Sequence, residues 1–231
     1  GDNVGDVAGM GADLFESYVG SIIAACTLAT QQFNQRTGTL DLQRSAIALP
    51  FWISGFGILC SMLGTKLVKT DTSVEKVADD ASSEVKFAAA NKTLNALLSS
   101  INMGIRGASF LVVCFSALCC FLLFKDTIMA LKIFIAIIIG LFAGIFIGMF
   151  TEYCTSYTES PTQGIAKKGE TGPATVIIQG LGVGMIGTAV PTGIIVIAIC
   201  ACNALVSLYG IAIAAVGMLS TLGITLATDA Y

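Results

Sequence analysis

Histidine is absent from this chain of 231 residues. The side chain that most often acts as a general base or a transition-metal ligand near neutral pH is therefore missing. Any base chemistry must use carboxylates or residues outside the chain. The eight cysteines contain no C-x-x-C spacing, so a zinc site is not expected. Nearly all of them lie in apolar stretches, where cysteine acts as a small packing residue.

Charge is also scarce, at 12% of residues against 55% hydrophobic residues, with a mean hydropathy of +0.85. An ordinary soluble domain has about 25% charged residues, so that class is excluded. No basic patch with interleaved aromatic residues occurs, so no nucleic-acid partner is predicted. No charged segment followed by a short apolar core opens the chain, so no signal peptide is predicted.

Long runs without charge decide the fold class. Four runs have 18 to 21 residues, and Thr171–Thr228 has 58. A hydrocarbon core of about 30 Å needs about 20 helical residues. The sequence therefore predicts an all-α, polytopic transmembrane helix bundle in one membrane domain (1–231), with a possible kink of the fifth span at Pro191. Its six spans are placed at about 1–33, 45–66, 105–124, 130–155, 174–202 and 205–228.

Polar segments separate the spans and indicate an orientation. A polar arm over 69–104 has apolar residues at helical spacing, which predicts an amphipathic helical pair or a helix extending out of the membrane. A second polar loop covers 157–173. Eight of the twelve Lys and Arg residues lie on the side of these two segments. The positive-inside rule therefore places the arm, the start of the first helix and Asp229 on the cytoplasmic side.

Four carboxylates open the first helix at Asp2, Asp6, Asp13 and Glu16. At helical spacing they fall within an arc of about 80° along about 21 Å of axis. Such an acidic stripe leading into a membrane span marks a cation path or a catalytic site. The alternative is a solvated helix start in which only Asp13 and Glu16 approach the bilayer. Small residues favour close helix packing here and at Gly140-xxx-Gly144-xxx-Gly148.

The stripe suits two kinds of chemistry. Asp2 and Asp6 are one turn apart and can bind Mg²⁺, with a carboxylate serving as base in place of histidine. Asp13 and Glu16 lie deeper, where desolvation favours protonation and makes them candidate proton carriers. This layout is that of a chemically driven pump, although spacing alone equally describes a cation transporter.

The run Gly1-Asp-Asn-Val-Gly-Asp-Val-Ala-Gly-Met-Gly-Ala-Asp-Leu-Phe15 resembles the signature helix of membrane-integral, ion-pumping inorganic pyrophosphatases. Three further stretches match, followed by Asp229-Ala-Tyr231 at the end: Glu152-Tyr-Cys-Thr-Ser156, Thr171-Gly-Pro-Ala-Thr175, and Tyr209-Gly-Ile-Ala-Ile-Ala-Ala-Val-Gly-Met-Leu-Ser-Thr221. The resemblance implies a homodimeric, all-helical pump of about sixteen helices. Such a pump hydrolyses pyrophosphate with Mg²⁺ at its cytoplasmic face and moves protons across a vacuolar, acidocalcisome-type or plasma membrane.

The resemblance also implies roles for the acidic residues. Asp2 and Asp6 match the hydrolytic centre, with Asp6 helping to hold the attacking water, and Asp13 matches the ion gate below it. Glu16 occupies the earlier of two positions for the gate glutamate, and Gly20 occupies the later one. The earlier position resembles the potassium-independent, proton-pumping subclass. Asp229 lies just before a further site motif and is not expected to be a ligand.

The resemblance covers the sixth to the start of the eleventh helix of that family, and both ends of the chain look cut. Much of the hydrolytic site then lies outside it, so we expect no hydrolysis by this piece alone. The main alternative is a secondary cation transporter that uses the stripe without hydrolysis. A third alternative is a structural or assembly subunit, in which the four acidic residues would have no role in catalysis or transport.

Overall fold

The computed structural model describes residues 1–33, 40–68 and 83–229, and describes only the backbone of some helical residues. In these ranges all the regular structure is helical, in agreement with the predicted all-α class. The α-helices are α1 (Asp2–Gln32), α2 (Leu40–Thr65), α3 (Ser83–Leu123), α4 (Thr127–Thr155), α5 (Ser160–Lys168), α6 (Pro173–Met218) and α7 (Leu222–Asp229).

Two helices extend beyond the predicted spans. α2 begins at Leu40 rather than at 45, and α3 runs without a break from Ser83, within the predicted arm, into its apolar part. The start of α4 at Thr127 follows from its cap, because the Asp126 side chain accepts a hydrogen bond from the Ile128 N–H at 3.0 Å. That bond satisfies one of the donors that a helix start leaves free.

The polar loop predicted at 157–173 contains a helix. α5 covers Ser160–Lys168, and a 3₁₀ turn covers Gly169–Thr171. Pro161 lies in the first turn, where its missing N–H costs no hydrogen bond, and Lys167 and Lys168 lie in the last turn, where they complement the helix dipole. The expectation of a loop was wrong here, because α5 is too short and too polar for its pattern to resemble a span.

α6 runs from Pro173 to Met218, but its helical backbone breaks at Val206 and Ser207. Ser207 has φ 54° and ψ −145°, and Val206 has φ −138°. A Cβ on Gly210 would lie 2.5 Å from the Cys202 carbonyl oxygen, whereas residues eight apart in a helix are separated by about 12 Å. The chain therefore folds back at Val206, within the segment where a turn was predicted. No non-helical dihedral angle occurs at Pro191.

α4 packs against both parts of α6. The Cys202 thiol, before the break, lies 3.9 Å from the Ala136 carbonyl oxygen. After the break, Ala214 is in backbone contact with Gly140, and Gly217 lies against Ile137. Glycine permits these approaches because a side chain at either position would overlap the facing backbone.

The ends of neighbouring helices are joined by polar contacts. Lys125 Nζ lies 2.8 Å from the Asp41 carboxylate, which raises the pKa of Lys125 by hydrogen bonding and charge. The pair is largely exposed and adds little stability. Ser45 donates to the Leu123 carbonyl at 2.7 Å, which satisfies an acceptor at the end of α3. Among the described residues, five helical segments are long and apolar enough to cross a membrane, and the last of them contains the break in α6.

Candidate functional site

All four predicted acidic residues lie on α1, a single helix from Asp2 to Gln32. The helical backbone places Asp2 and Asp6 one turn apart. Their side chains lie outside the described part of the structure, so the Mg²⁺ site assigned to them stays a prediction. In the described part, no group of three or more His, Cys, Asp or Glu residues comes close enough to hold a metal ion.

Asp13 and Glu16 are exposed, and they lie on the side of α1 turned away from the bundle. The buried residues of this helix are Tyr18, Ala25, Ala29 and Phe33. At about 100° per residue, these four centre about 180° from the midpoint between Asp13 and Glu16. The candidate ion-gate residues therefore face outward from the helices of this chain.

Two of the small residues in the acidic half do not pack against the described residues. A Cβ on Gly5 or Gly9 would have nothing within 4 Å, contrary to the close approach expected for this stripe, whereas a Cβ on Gly11 would lie 3.5 Å from the Leu226 side chain of α7. On α4 the expectation holds for Gly140 and Gly144, which lie against Ala214 and Met218, but not for Gly148, which is open. Only the second half of α1 is fixed by burial.

The far end of α1 carries a residue that the sequence did not single out. The Gln32 side-chain amide donates to the Val206 carbonyl at 2.8 Å, and its oxygen accepts from the Tyr209 N–H at 3.0 Å. These two backbone groups flank the break in α6. Gln32 thus satisfies a donor and an acceptor that the break removes from the helical ladder.

Tyr209 connects the same break to α2 and to the residue that ends α1. Its side chain is fully buried, its hydroxyl donates to the Ala46 carbonyl at 2.9 Å, and its ring meets Phe33 edge-on at 5.3 Å. Tyr209 opens one of the stretches that resemble the pump family. Its place in the structure assigns a packing role to the start of that stretch.

A second motif forms a turn. Gly172 has φ 124°, a conformation that favours glycine, and it precedes α6. Thr175 Oγ1 donates to the Gly172 carbonyl at 2.7 Å and lies 2.7 Å from Thr171 Oγ1. The Thr171–Thr175 stretch therefore forms the turn that leads into α6, and no side chain there caps the helix N–H groups.

A polar cleft of about 400 Å³ lies between α3 and the junction of α4 with α5. Arg106, Glu152 and Glu159 bring three charges to it, and these three form no ion pair among the described residues. Glu152 belongs to a stretch noted in the sequence, whereas Arg106 was used only to orient the chain. The sequence could not show that α3 and α4 line the same cleft, because 46 positions separate Arg106 from Glu152.

Comparison with known proteins places these features in a family. The family described as Inorganic H+ pyrophosphatase matches residues 1–231. The chain is 45% identical over its whole length to a protein of Bacteroides thetaiotaomicron with the provisional assignment K(+)-stimulated pyrophosphate-energized sodium pump. Over 96% of its length it is 34% identical to the K(+)-stimulated pyrophosphate-energized sodium pump of Thermotoga maritima. It is also 32% identical to the K(+)-insensitive pyrophosphate-energized proton pump of Methanosarcina mazei. The chain spans about 30% of the length of these relatives.

Proposed function

The chain belongs to the inorganic H+ pyrophosphatase family, and on this basis we propose that its parent protein is a membrane pump that hydrolyses pyrophosphate to move cations. The match over all 231 residues is the observation that carries the proposal. The acidic helix α1 supplies part of the site, and the remainder lies in chain beyond these residues. Homodimer formation and a cytoplasmic hydrolytic face belong to the same proposal.

Asp2 and Asp6 are the proposed Mg²⁺ ligands. Their carboxylate oxygens are the ligands that this cation prefers, and the helix spaces them by one turn. When bound, Mg²⁺ would neutralise charge on the phosphate oxygens. Asp6 is also proposed to hold the attacking water and to accept its proton, since histidine is absent.

Asp13 and Glu16 are the proposed ion-gate residues. Both lie on the outward face of α1, two to three turns from Asp6. One helix would thus join the hydrolytic end to the transport path, so that a movement of α1 at one end also moves the residues at the other end. Coupling between hydrolysis and transport would then pass through this helix.

The transported cation has two candidates. The position of Glu16 resembles the potassium-independent proton pumps, whereas the relatives of 45% and 34% identity are assigned as K(+)-stimulated sodium pumps. The proton-pumping relative is 32% identical. The higher identities favour sodium transport with potassium stimulation as a second candidate beside proton pumping.

The hydrolytic proposal is tested with Asp6→Asn in the full-length protein reconstituted in vesicles. We expect pyrophosphate turnover to be abolished with the amount of folded protein unchanged, because the variant loses a metal ligand and the base. Asp2→Asn should act mainly by raising the Mg²⁺ concentration needed. Near-normal turnover in Asp6→Asn would place the chemistry elsewhere, and a parent that transports cations without hydrolysis would be a secondary transporter.

The cation is identified by measuring both ions in the same vesicles. A pH-sensitive dye and radioactive sodium report proton and sodium uptake while sodium and potassium are varied independently. Sodium uptake that is driven by pyrophosphate and rises with potassium would select the sodium pump. Acidification that is indifferent to both ions would select the potassium-independent proton pump.

A further inference from the structure

The bridge made by Gln32 is the only described side-chain contact that satisfies both backbone groups beside the break in α6. Val206 and Tyr209 are buried in the protein, and a buried N–H or C=O without a hydrogen bond is costly. A chain reversal among buried residues is tolerated when other protein groups complete the missing hydrogen bonds. Gln32 meets this requirement from another helix, 174 residues away from Val206.

The same bridge fixes one end of α1. The buried residues Tyr18, Ala25, Ala29 and Phe33 all lie in the second half of the helix or directly after it. In the first half, Gly5 and Gly9 have open space beside them, and Gly11 faces the Leu226 side chain of α7. The helix is therefore held mainly from its Gln32 end. A continuous helix transmits this constraint along its axis, and Asp13 and Glu16 lie about 24–29 Å from Gln32.

We infer that Gln32 is a positioning residue, which ties the far end of α1 to the reversal of α6 and so sets the axial register of the ion-gate acids. This inference rests on the proposed pump function for its effect on transport. The bridge itself can be measured independently of that function.

The test compares Gln32→Met with Gln31→Met in the full-length protein in vesicles. Methionine keeps the length of glutamine but removes both hydrogen bonds, and the neighbouring Gln31 is exposed. Gln32→Glu is a milder variant, because it keeps the acceptor for the Tyr209 N–H. Three quantities are measured: pyrophosphate hydrolysis, cations moved per pyrophosphate, and hydrogen exchange of the Tyr209 amide.

We expect exchange at Tyr209 to become about tenfold faster or more in Gln32→Met, as for a lost buried hydrogen bond. Cations moved per pyrophosphate should fall in Gln32→Met, with Gln32→Glu intermediate and Gln31→Met at the parental value. An unchanged exchange rate would overturn the bridge. Hydrolysis and transport that decline in parallel, at a constant ratio, would overturn the positioning role and leave a purely structural one.

The outcomes separate this inference from the proposed function. A parent that does not hydrolyse pyrophosphate would refute the function, while exchange at Tyr209 would still decide the bridge. If Gln32→Met yields too little folded protein, Gln32→Glu alone carries the comparison. A parental transport ratio in Gln32→Glu, which has lost the hydrogen bond to the Val206 carbonyl, would then overturn the positioning role.

Discussion

Asp13 and Glu16 are three residues apart on α1, and both are exposed on the face turned away from the bundle. Two carboxylates at this spacing can bind one cation together. Glu16→Gln keeps the size and polarity of the side chain but removes its charge. In the full-length protein we expect fewer cations moved per pyrophosphate, with hydrolysis slowed only as far as the two processes are coupled.

The measurement is ion uptake divided by phosphate release in the same vesicles. Glu170→Gln is the matched control, because it makes the same change at an exposed glutamate in the Gly169–Thr171 turn. An unchanged ratio in Glu16→Gln would remove Glu16 from the transport path and leave Asp13 as the last functional acid of the stripe.

At single residues the sequence allowed predictions of local geometry but not of contacts between helices. The spacing of the four acids could be converted into a common helix face because it depends on local geometry alone. The role of Gln32 could not be predicted, since its partners Val206 and Tyr209 lie on another helix and are joined to it only by tertiary packing. The outward direction of Asp13 likewise depends on which face of α1 the rest of the chain covers.

Among the helices, the contact of α4 with α6 gives a sharp prediction. A Cβ at Gly140 would overlap the backbone of Ala214, whereas one at Gly148 would meet nothing within 4 Å. We therefore expect Gly140→Ala to destabilise the protein by about 1–3 kcal/mol, the usual cost of overpacking. Gly148→Ala should be neutral or slightly stabilising because alanine favours the helix.

The measurement is the thermal unfolding midpoint of each variant in the same detergent, read from the loss of helical signal. The two variants make the same chemical change on the same helix, so an effect of alanine on helix propensity cancels. A midpoint lowered equally by both would contradict the close approach of α4 and α6 at Gly140.

The helices differ in how well the sequence predicted them. Long apolar runs predicted the positions of α1, α4 and both parts of α6, because a membrane span needs a minimum apolar length. α5 was missed as a helix, although the early Pro161 and the late Lys167 and Lys168 were available as signals. The start of α4 was displaced by three residues because the capping role of Asp126 was not considered.

For the whole molecule, α4 separates two ends that should face opposite sides of the membrane. Lys125 precedes this helix and Ser160 follows it, and both side chains are exposed. The 29 residues of α4 span about 44 Å. In a cysteine-free background, we expect Ser160→Cys to react with a membrane-impermeant thiol reagent from the cytoplasmic side, and Lys125→Cys to react only from the other side.

Labelling is measured on sealed vesicles of known orientation, before and after they are permeabilised. The orientation rests on the excess of Lys and Arg on one side. Reaction of both cysteines from the same side would contradict a membrane-spanning α4, and the reverse pattern would invert the predicted orientation.

The outward direction of the acidic face has a consequence for the segment as a whole. Asp13 and Glu16 lie opposite the residues that bury α1, and the chain spans about 30% of the length of its relatives. The proposed hydrolytic residues Asp2 and Asp6 belong to the same acidic stripe, and we expect the groups that complete their site to come from chain beyond these residues. We therefore expect the 231-residue segment, purified alone in vesicles, to release no phosphate from pyrophosphate with Mg²⁺ present, while the full-length protein does so under the same conditions. The control is Asp6→Asn in the same segment, which exposes any contaminating soluble pyrophosphatase as activity that survives the change. Phosphate release by the segment that disappears in Asp6→Asn would mean that α1 and its neighbours suffice for hydrolysis, and the site would then have to form between copies of this segment.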